Sequence, residues 1–514
     1  MRFLWILLLW PLCLAAQTPT DAIARRHLIF DPMPADSADV ARLEKKAFWR
    51  AATETFGFNI GLWAFDRYVK KGHFAYISFQ TIKENFKHGF EWDNDHLSTN
   101  MFAHPYNGSL FYNAGRSNGY NFWQSELFAI GGSAMWELFM EREYPSTNDI
   151  IATPIGGAAI GEVLYRASDL LLDDRSSGAE RFGRELAVFA LSPIRSLTRI
   201  VTGDAWKRRA TPGRHFGHPP LSVDLSLGAR ALMFHDADNR VKVGATARLG
   251  VEYGDRFGGD TRVPYDYFTL LMDLDVMPTQ PVLSRIEIVG RLLSRQLIDS
   301  RACDLSIGLY QHFDYFDSDT INPGPAEGAF KPCHVPYKLG TPASAGVGAM
   351  LRYAATPRFA LDAYAHVNGV LLGGVLSDFY RYYHRCYNWA SGFSLKGGAQ
   401  CAFDGGRLTL SVANQFYQLY SWSGYTSEEE WLERPTEKPD NVQGDVSRAL
   451  FNHLEFRVDC HLWQRLSASL AMNWFHRFTY YDRWMDFPEE NYSVYDYLVD
   501  SDQWDLRLMV RYGF

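Results

Sequence analysis

The C-terminal part of the chain alternates apolar and polar side chains with a period of two, and this feature constrains the fold most. In the segment Val241–Tyr253, every odd-numbered residue is apolar and every even-numbered residue is polar or glycine. The same period governs His453–Leu462 and the last segment, Trp504–Phe514. Alternation over ten or more residues, repeated along a chain, is typical of membrane-spanning β-strands. The alternative, a soluble β-sandwich, has strands of only about five or six residues.

We predict about twelve such strands, beginning near residues 221, 240, 265, 283, 303, 341, 358, 391, 407, 447, 465 and 503. In the later part of the chain, short links such as Asp404–Gly406 alternate with long links such as residues 421–446. An even number of antiparallel strands places these long links on one side of a barrel, as in outer-membrane proteins. The last strand, up to Phe514, has the alternating pattern with which many such barrels end. We therefore expect a transmembrane β-barrel over residues 220–514.

The first sixteen residues predict secretion. Met1-Arg2 gives a positive start, the run Phe3–Leu14 is almost wholly apolar, and Ala15-Ala16 suits cleavage by a signal peptidase. The run is too short to remain in a bilayer as a spanning helix. Lipidation of Cys13 is the alternative, and we favour cleavage because Trp10-Pro11-Leu12 is a poor approach to a lipidated cysteine. We expect a signal peptide at residues 1–16 and a mature protein in the cell outer membrane.

Between the signal and the barrel, the pattern is helical. Leu43–Val69 and Arg181–Val201 carry apolar residues at three- and four-residue spacings, with charged residues between them. We predict a helical domain over residues 40–210, so the fold class is α+β, with helices followed by an antiparallel barrel. A domain of roughly 170 residues is too large for the lumen of such a barrel. We expect part of it to plug or cap the periplasmic opening.

Polar residues and glycines are concentrated between residues 91 and 166 of the helical region. The ordered motifs are His104-Pro105, Gly115-Arg116, Trp136-Glu137, Gly156-Gly157 and Gly161-Glu162. The stretch from about Phe90 to Leu172 resembles the domain of unknown function 3943 family of outer-membrane proteins, with a weaker continuation to Gly203. The family pattern usually has Ala where Gly115 stands. The resemblance implies an uncharacterised outer-membrane protein and no settled reaction.

A structural interpretation of these motifs is a buried network that locks helices together. Gly157 and Gly161 are four residues apart, which lets two helices approach closely. Glu126, Glu137 and Glu141 lie among apolar residues, where carboxylates must find partners or lose their charge. We expect their partners to be Arg116, Arg166 and His104. We predict that four residues bind a ligand or lie in this network, namely Arg116, Asp149, Glu162 and Arg166.

A catalytic interpretation uses His104 as general base, with Glu137 or Glu141 to orient it. Ser109 or Ser133 would then be the nucleophile, although no Gly-x-Ser-x-Gly motif supports either. A metal interpretation joins a helix glutamate to four further residues. These are Asp93, Asp95, His96 and His104. Since no closely spaced ligand pair supports it, we predict neither a metal nor a cofactor.

The barrel strands also carry charged residues at inward-facing positions. The candidates are Arg230, Arg248, Glu252, Glu287, Arg291, Arg352, Glu455, Arg457, Arg477 and Arg507. A polar lumen held by ion pairs is the simplest interpretation. The alternative is an anion-selective passage or a site for lipid phosphates.

Three classes of function remain open. The first is a structural or transport protein of the outer membrane, and the second is a hydrolase or transferase that acts on lipid. The third is an accessory subunit of a larger outer-membrane complex. The expected partners are outer-membrane lipid and other envelope proteins. The net charge of −8 argues against a nucleic-acid partner.

Overall fold

The structure, a computed structural model, describes twelve stretches of the chain. These are residues 32–93, 95–234, 241–319, 335, 337–356, 358–377, 387–422, 424, 446–481, 486–487, 492–493 and 498–514. The predicted signal peptide at residues 1–16 lies outside the described residues. The described residues fall into two compact units, a helical unit that ends at Pro219 and a β unit that begins at Pro220.

The helical unit contains eight α-helices within the described residues. They are α1 Ser37–Leu43, α2 Phe48–Phe65, α3 Phe79–His88, α4 His104–Ser117, α5 Phe122–Met135, α6 Asp149–Leu171, α7 Gly178–Leu191 and α8 Pro193–Thr202. Short π-helical turns cover Asp66–Lys70, Thr99–Ala103 and Trp136–Met140. Among the described helices, none combines the length and the apolar composition needed to cross a bilayer.

Glycines set how closely α4 and α6 pack. A Cβ atom at Gly157 would lie 2.6 Å from the carbonyl carbon of Gly108, and one at Gly108 would overlap the carbonyl oxygen of Thr153. Gly161 lies against the ring of Tyr112 in the same way. The backbones of the two helices therefore meet directly, which brings buried side chains on either side of the crossing within bonding distance.

The β unit is a closed barrel of twelve antiparallel strands within the described residues. They are β1 Leu221–Phe234, β2 Val241–Tyr253, β3 Phe268–Val276, β4 Leu283–Asp299, β5 Cys303–Phe316, β6 Leu339–Thr356, β7 Phe359–Leu376, β8 Tyr387–Phe403, β9 Leu408–Ser421, β10 Ser447–Trp463, β11 Leu466–Tyr481 and β12 Leu498–Gly513. Each strand pairs with the next in sequence, and β1 pairs with β12 to close the ring. A separate two-residue pairing joins Asp486–Phe487 to Tyr492–Ser493. The predicted α+β fold with a twelve-stranded barrel is confirmed.

Two strands begin several residues earlier than the alternation predicted. β8 begins at Tyr387 and β12 at Leu498, where we expected residues 391 and 503. The pairs Val375–Asn388 and Val499–Thr479 continue the ladder beyond the alternating part. Backbone pairing does not need an apolar outer face, so the side-chain pattern marks only part of each strand.

The last strand illustrates the two faces of the barrel wall. Leu506, Leu508 and Val510 are exposed on the outside, whereas Asp505 and Arg507 are buried inside. The outer faces of other strands are likewise apolar. Their exposed side chains include Leu227, Val243, Leu293, Ile307, Val347, Val367, Leu395, Leu410 and Phe456. The wall thus has an apolar outer surface, and its inner surface carries buried charged residues.

Candidate functional site

The first candidate site is a group of acidic residues around one histidine, which we name the acid–histidine cluster. It comprises Asp93, Asp95, His104, Glu137 and Asp149. His104 and Asp149 are the first residues of α4 and α6, and Glu137 lies in the π-helical turn after α5. The imidazole Nε2 of His104 lies 3.7 Å from Asp149 Oδ2 and 4.0 Å from Asp95 Oδ2.

Hydrogen bonds hold the carboxylates of this cluster in place. Asn100 Nδ2 donates to Asp93 Oδ1 at 2.6 Å, and the backbone N–H of Ser146 donates to Glu137 Oε2 at 2.7 Å. Asn148 Nδ2 donates to Asp149 Oδ1 at 3.0 Å. These donors come from the π-helical turn before α4 and from the residues just before α6, so two helix starts shape the site.

Burial and neighbouring charge shift the pKa values of the cluster in opposite directions. Burial raises the pKa of Glu137 and of Asp149 well above the usual carboxyl range. Burial alone would lower the pKa of His104, but the negative charge of Asp149 and its neighbours outweighs it and raises that pKa to about 10. Without another cation, the imidazole is therefore protonated at neutral pH and offsets part of the acidic charge.

The second candidate site is centred on Glu162 of α6, and we name it the Glu162 ion-pair cluster. Arg116 Nε and Arg166 Nε donate to the two carboxylate oxygens of Glu162 at 2.7 and 2.8 Å, and the Tyr112 hydroxyl donates at 2.8 Å. Glu162 is fully buried. Burial would raise its pKa, but the two guanidinium groups lower it to about 2. This cluster joins α4 to α6 beside their glycine crossing.

The structure separates residues that we expected to act together. Arg116 and Arg166 bind Glu162 instead of Glu137 or Glu141. The glycine crossing brings Arg116 of α4 onto α6, and Arg166 lies one turn after Glu162 on α6 itself. The two serines that we considered as nucleophiles donate to backbone carbonyls. Ser109 Oγ bonds the oxygen of Tyr106, and Ser133 Oγ bonds that of Asp149. Neither bond involves His104.

The remaining candidates are placed around the clusters. Glu141 accepts from Trp136 Nε1 at 3.2 Å, and burial raises its pKa to about 8. Burial likewise raises the pKa of Glu126 to about 8. His96 is exposed, and the metal-ligating group formed by described residues does not include it. The supporting role of Ser146 and Asn148 was missed, although both precede a helix, where such side chains commonly cap.

Ion pairs cross the barrel lumen. Arg248 on β2 bonds Asp273 on β3 at 2.7 Å and Glu455 on β10 at 2.9 Å. Arg285 on β4 also bonds Glu455, at 2.8 Å. Arg507 on β12 joins the same network through Asp273 at 3.0 Å. Arg248, Glu455 and Arg507 were among the predicted inward-facing residues, whereas Arg285 and Asp273 were not.

Further side-chain contacts lie in the lumen on both sides of this network. Near one end, Arg256, from the link between β2 and β3, reaches Asp362 on β7 at 3.4 Å. Near the other end lies an apolar cluster in which Tyr337 stacks on Phe475 at 4.0 Å between ring centroids. Phe316 on β5 also meets Phe475 on β11, across the full width of the ring.

These features define a closed β-barrel protein with a helical unit that buried ion pairs hold together. The helical region matches a known family. Residues 89–194 match the family described as Domain of unknown function (DUF3943), which confirms the resemblance stated from the motifs. No curated protein matches the chain.

The chain is also similar to solved barrels. The NanC porin is 10% identical, with 56% of this chain and 98% of that chain covered at a TM-score of 0.24. The KdgM porin is 10% identical, with 57% and 99% covered at a TM-score of 0.21. The COG4313 outer membrane channel from Pseudomonas putida F1 is 8% identical, with 57% and 95% covered at a TM-score of 0.25. These similarities are too distant to support any conclusion beyond the strand order described above.

Proposed function

We propose that the protein is a structural protein of the outer membrane, in which a closed barrel anchors the helical unit. The apolar outer surface of the strands supports insertion in a bilayer, since an exposed apolar area of this extent is unfavourable in water. Exposed aromatic side chains lie at the end of the barrel where short turns join the strands, and such side chains suit a membrane interface. They are Trp463, Tyr512 and Phe514.

One observation carries the choice of an anchor over an open pore. Arg285 Nη1 lies 2.8 Å from Glu455 Oε2, and these residues stand on β4 and β10, which are diametrically opposite in the closed strand order. Gln415 Nε2 on β9 reaches Glu287 Oε1 on β4 at 2.7 Å in the same layer. A direct bond across the diameter occupies the space that an aqueous channel needs.

We expect the purified protein to give no stable conductance steps in a planar bilayer. The double variant Arg285→Ala with Glu455→Ala removes the bond across the diameter and leaves Arg248 paired with Asp273. We expect this variant to conduct measurably more than the wild type, whereas the control Arg352→Ala, at a half-exposed rim position, does not. Wild-type steps as large as those of an open porin would contradict the anchor.

The exposed apolar side chains of the helical unit support outer-membrane lipid as its partner. Trp49 is 80% exposed, Phe79 is 95% exposed and Phe182 is 70% exposed. Trp49 also lines an apolar groove of about 810 Å³ between α2 and α8, beside the carboxylate of Glu54. A lipid-acting hydrolase or transferase is the second candidate function, and the groove favours it.

One crosslinking experiment tests the partner and the predicted cap together. A photoreactive amino acid replaces Trp49 in the full chain in its native envelope, and the same group at exposed Glu180 is the control. We expect Trp49 to yield a lipid adduct that Glu180 does not. An internal crosslink to the barrel would instead favour the helical cap on the periplasmic opening. An adduct with a second protein would favour the accessory-subunit class.

A further inference from the structure

We propose that Asp93, His104 and Asp149 bind one divalent transition-metal ion of the Zn²⁺ or Mn²⁺ class. This site lies in the helical unit and goes beyond the structural role of the barrel. From the sequence alone we predicted that the protein binds no metal, and this proposal differs from that prediction. Asp149 was absent from the metal interpretation, because it lies 45 positions after His104 and only the fold brings the two together.

The first argument is the spacing of the ligand atoms. One carboxylate oxygen from each aspartate and a ring nitrogen of His104 all lie within 4.8 Å of one another. The 3.7 Å between His104 Nε2 and Asp149 Oδ2 is too long for a hydrogen bond. Two ligands that each lie about 2.1 Å from one ion are about 3 to 4 Å apart. The spacing therefore suits two ligands of a shared ion better than a direct bond.

The second argument is that an imidazole nitrogen points into the carboxylates. The Nε2 atom of His104 lies within 4.0 Å of both Asp149 and Asp95. An imidazole nitrogen suits Zn²⁺ and carboxylate oxygens suit Mn²⁺, whereas Ca²⁺ and Mg²⁺ prefer oxygen ligands throughout. In the bound state His104 is neutral and binds through Nε2.

The third argument is the charge of the surroundings. Asp93 and Asp149 each offer a carboxylate oxygen within 4.8 Å of the other, and Ser146 bonds to both Asp93 and Glu137, which keeps a third acidic side chain close by. Carboxylates that share a buried site repel one another unless a cation or a proton intervenes. A divalent ion supplies two positive charges at the point where the acidic groups converge.

Hydrogen-bond donors already orient the proposed ligands. Asn100 holds Asp93, and Asn148 holds Asp149. Ser146 Oγ also approaches Asp93 Oδ2 at 3.3 Å. Such supporting bonds fix the direction of ligand lone pairs, and their loss typically weakens metal binding about 10- to 100-fold. The site thus has both ligands and the donors that position them.

Equilibrium titration of the full chain in detergent tests the proposal. A second histidine–carboxylate group, His476 with Asp500 and Asp502, lies on the barrel, so all proteins carry His476→Ala. After chelator treatment, Zn²⁺ or Mn²⁺ is titrated in separate samples and bound metal is measured by calorimetry and elemental analysis. We expect one ion per chain, and at least 100-fold weaker binding by Asp149→Asn.

The control variant is Asp173→Asn, which changes an aspartate of the same unit that pairs with Arg175. It should bind metal as the parent does. His104→Gln is the second test variant, and far-UV circular dichroism verifies that each protein is folded. Equal binding by the parent and both folded variants would overturn the proposal. So would a parent that binds neither metal, because His104 would then be only the protonated counter-ion of the cluster.

Discussion

Replacing Glu162 by Gln is expected to destabilise the helical unit by about 3 to 5 kcal/mol, the usual cost of breaking a buried ion pair. Arg116 and Arg166 both donate to this fully buried carboxylate. Glutamine keeps the shape but removes the charge, so two guanidinium groups remain in the interior with insufficient compensation. The loss falls on the contact between α4 and α6.

The measurement is urea unfolding of the full chain in detergent, followed by circular dichroism at 222 nm, which reports the helices. Glu180→Gln is the matched control, because Glu180 makes an exposed ion pair with Arg184 on α7. That pair should contribute less than about 1 kcal/mol. Equal unfolding midpoints for the two variants would show that Glu162 does not hold the helices together.

Acid unfolding gives the same prediction a second readout. The folded pKa of Glu162 is about 2, below the usual 4.5. A lowered carboxyl pKa adds stability that is fully present above pH 4.5 and is lost as the pH falls towards 2. The expected contribution of Glu162 is roughly 3 kcal/mol, because lowering its pKa from 4.5 to about 2 is worth 1.36 kcal/mol for every tenfold change in proton affinity. The free energy of unfolding of Glu162→Gln should therefore change less than that of the wild type as the pH falls from 4.5 towards 2.

Adding one methyl group at Gly108 is expected to have the other large effect. The Cβ of Gly108→Ala would overlap the backbone oxygen of Thr153, which is not a flexible side chain that can turn away. The two helices would have to separate, and this strains the Glu162 ion-pair cluster beside the crossing. We expect a loss of at least about 3 kcal/mol, the upper end of the usual cost of overpacking.

Gly131→Ala is the matched control for this substitution. Gly131 lies on the exposed face of α5, and a Cβ there would meet nothing within 4 Å. Alanine is a better helix former than glycine, so this change should stabilise the unit by up to about 1 kcal/mol. Urea unfolding at 222 nm compares the two. If both substitutions have the same small effect, the close contact at Gly108 is not what sets the packing.

The barrel could be predicted from the sequence because its signal is local. In β12, the residues between Trp504 and Phe514 report their side of the wall through their polarity, with the exception of Met509, which is apolar but buried inside. Strand ends were harder to place, since the ladder at Tyr387 and Leu498 continues where the alternation has stopped. Backbone hydrogen bonds require no particular side chain there.

The partners of buried charged residues could be predicted only where they are close in sequence. Arg166 lies four residues after Glu162 on the same helical face, so the sequence spacing alone is enough to bring these two side chains together. Arg116 lies 46 positions from Glu162, and the helix crossing that joins them is a property of the packed unit. The bond between Arg285 and Glu455 depends in the same way on the diameter and closure of the ring.

The pairing of the first and last strands has a consequence for assembly. Asp224 lies opposite Gly513, so the seam of the barrel joins opposite ends of its sequence. The ring cannot close until β12 is available, and closing so long a loop is slow. Until then, the growing sheet has two edges with unpaired N–H and C=O groups that invite association with other chains. Until the ring closes, association at these two edges therefore competes with the correct pairing of β1 with β12.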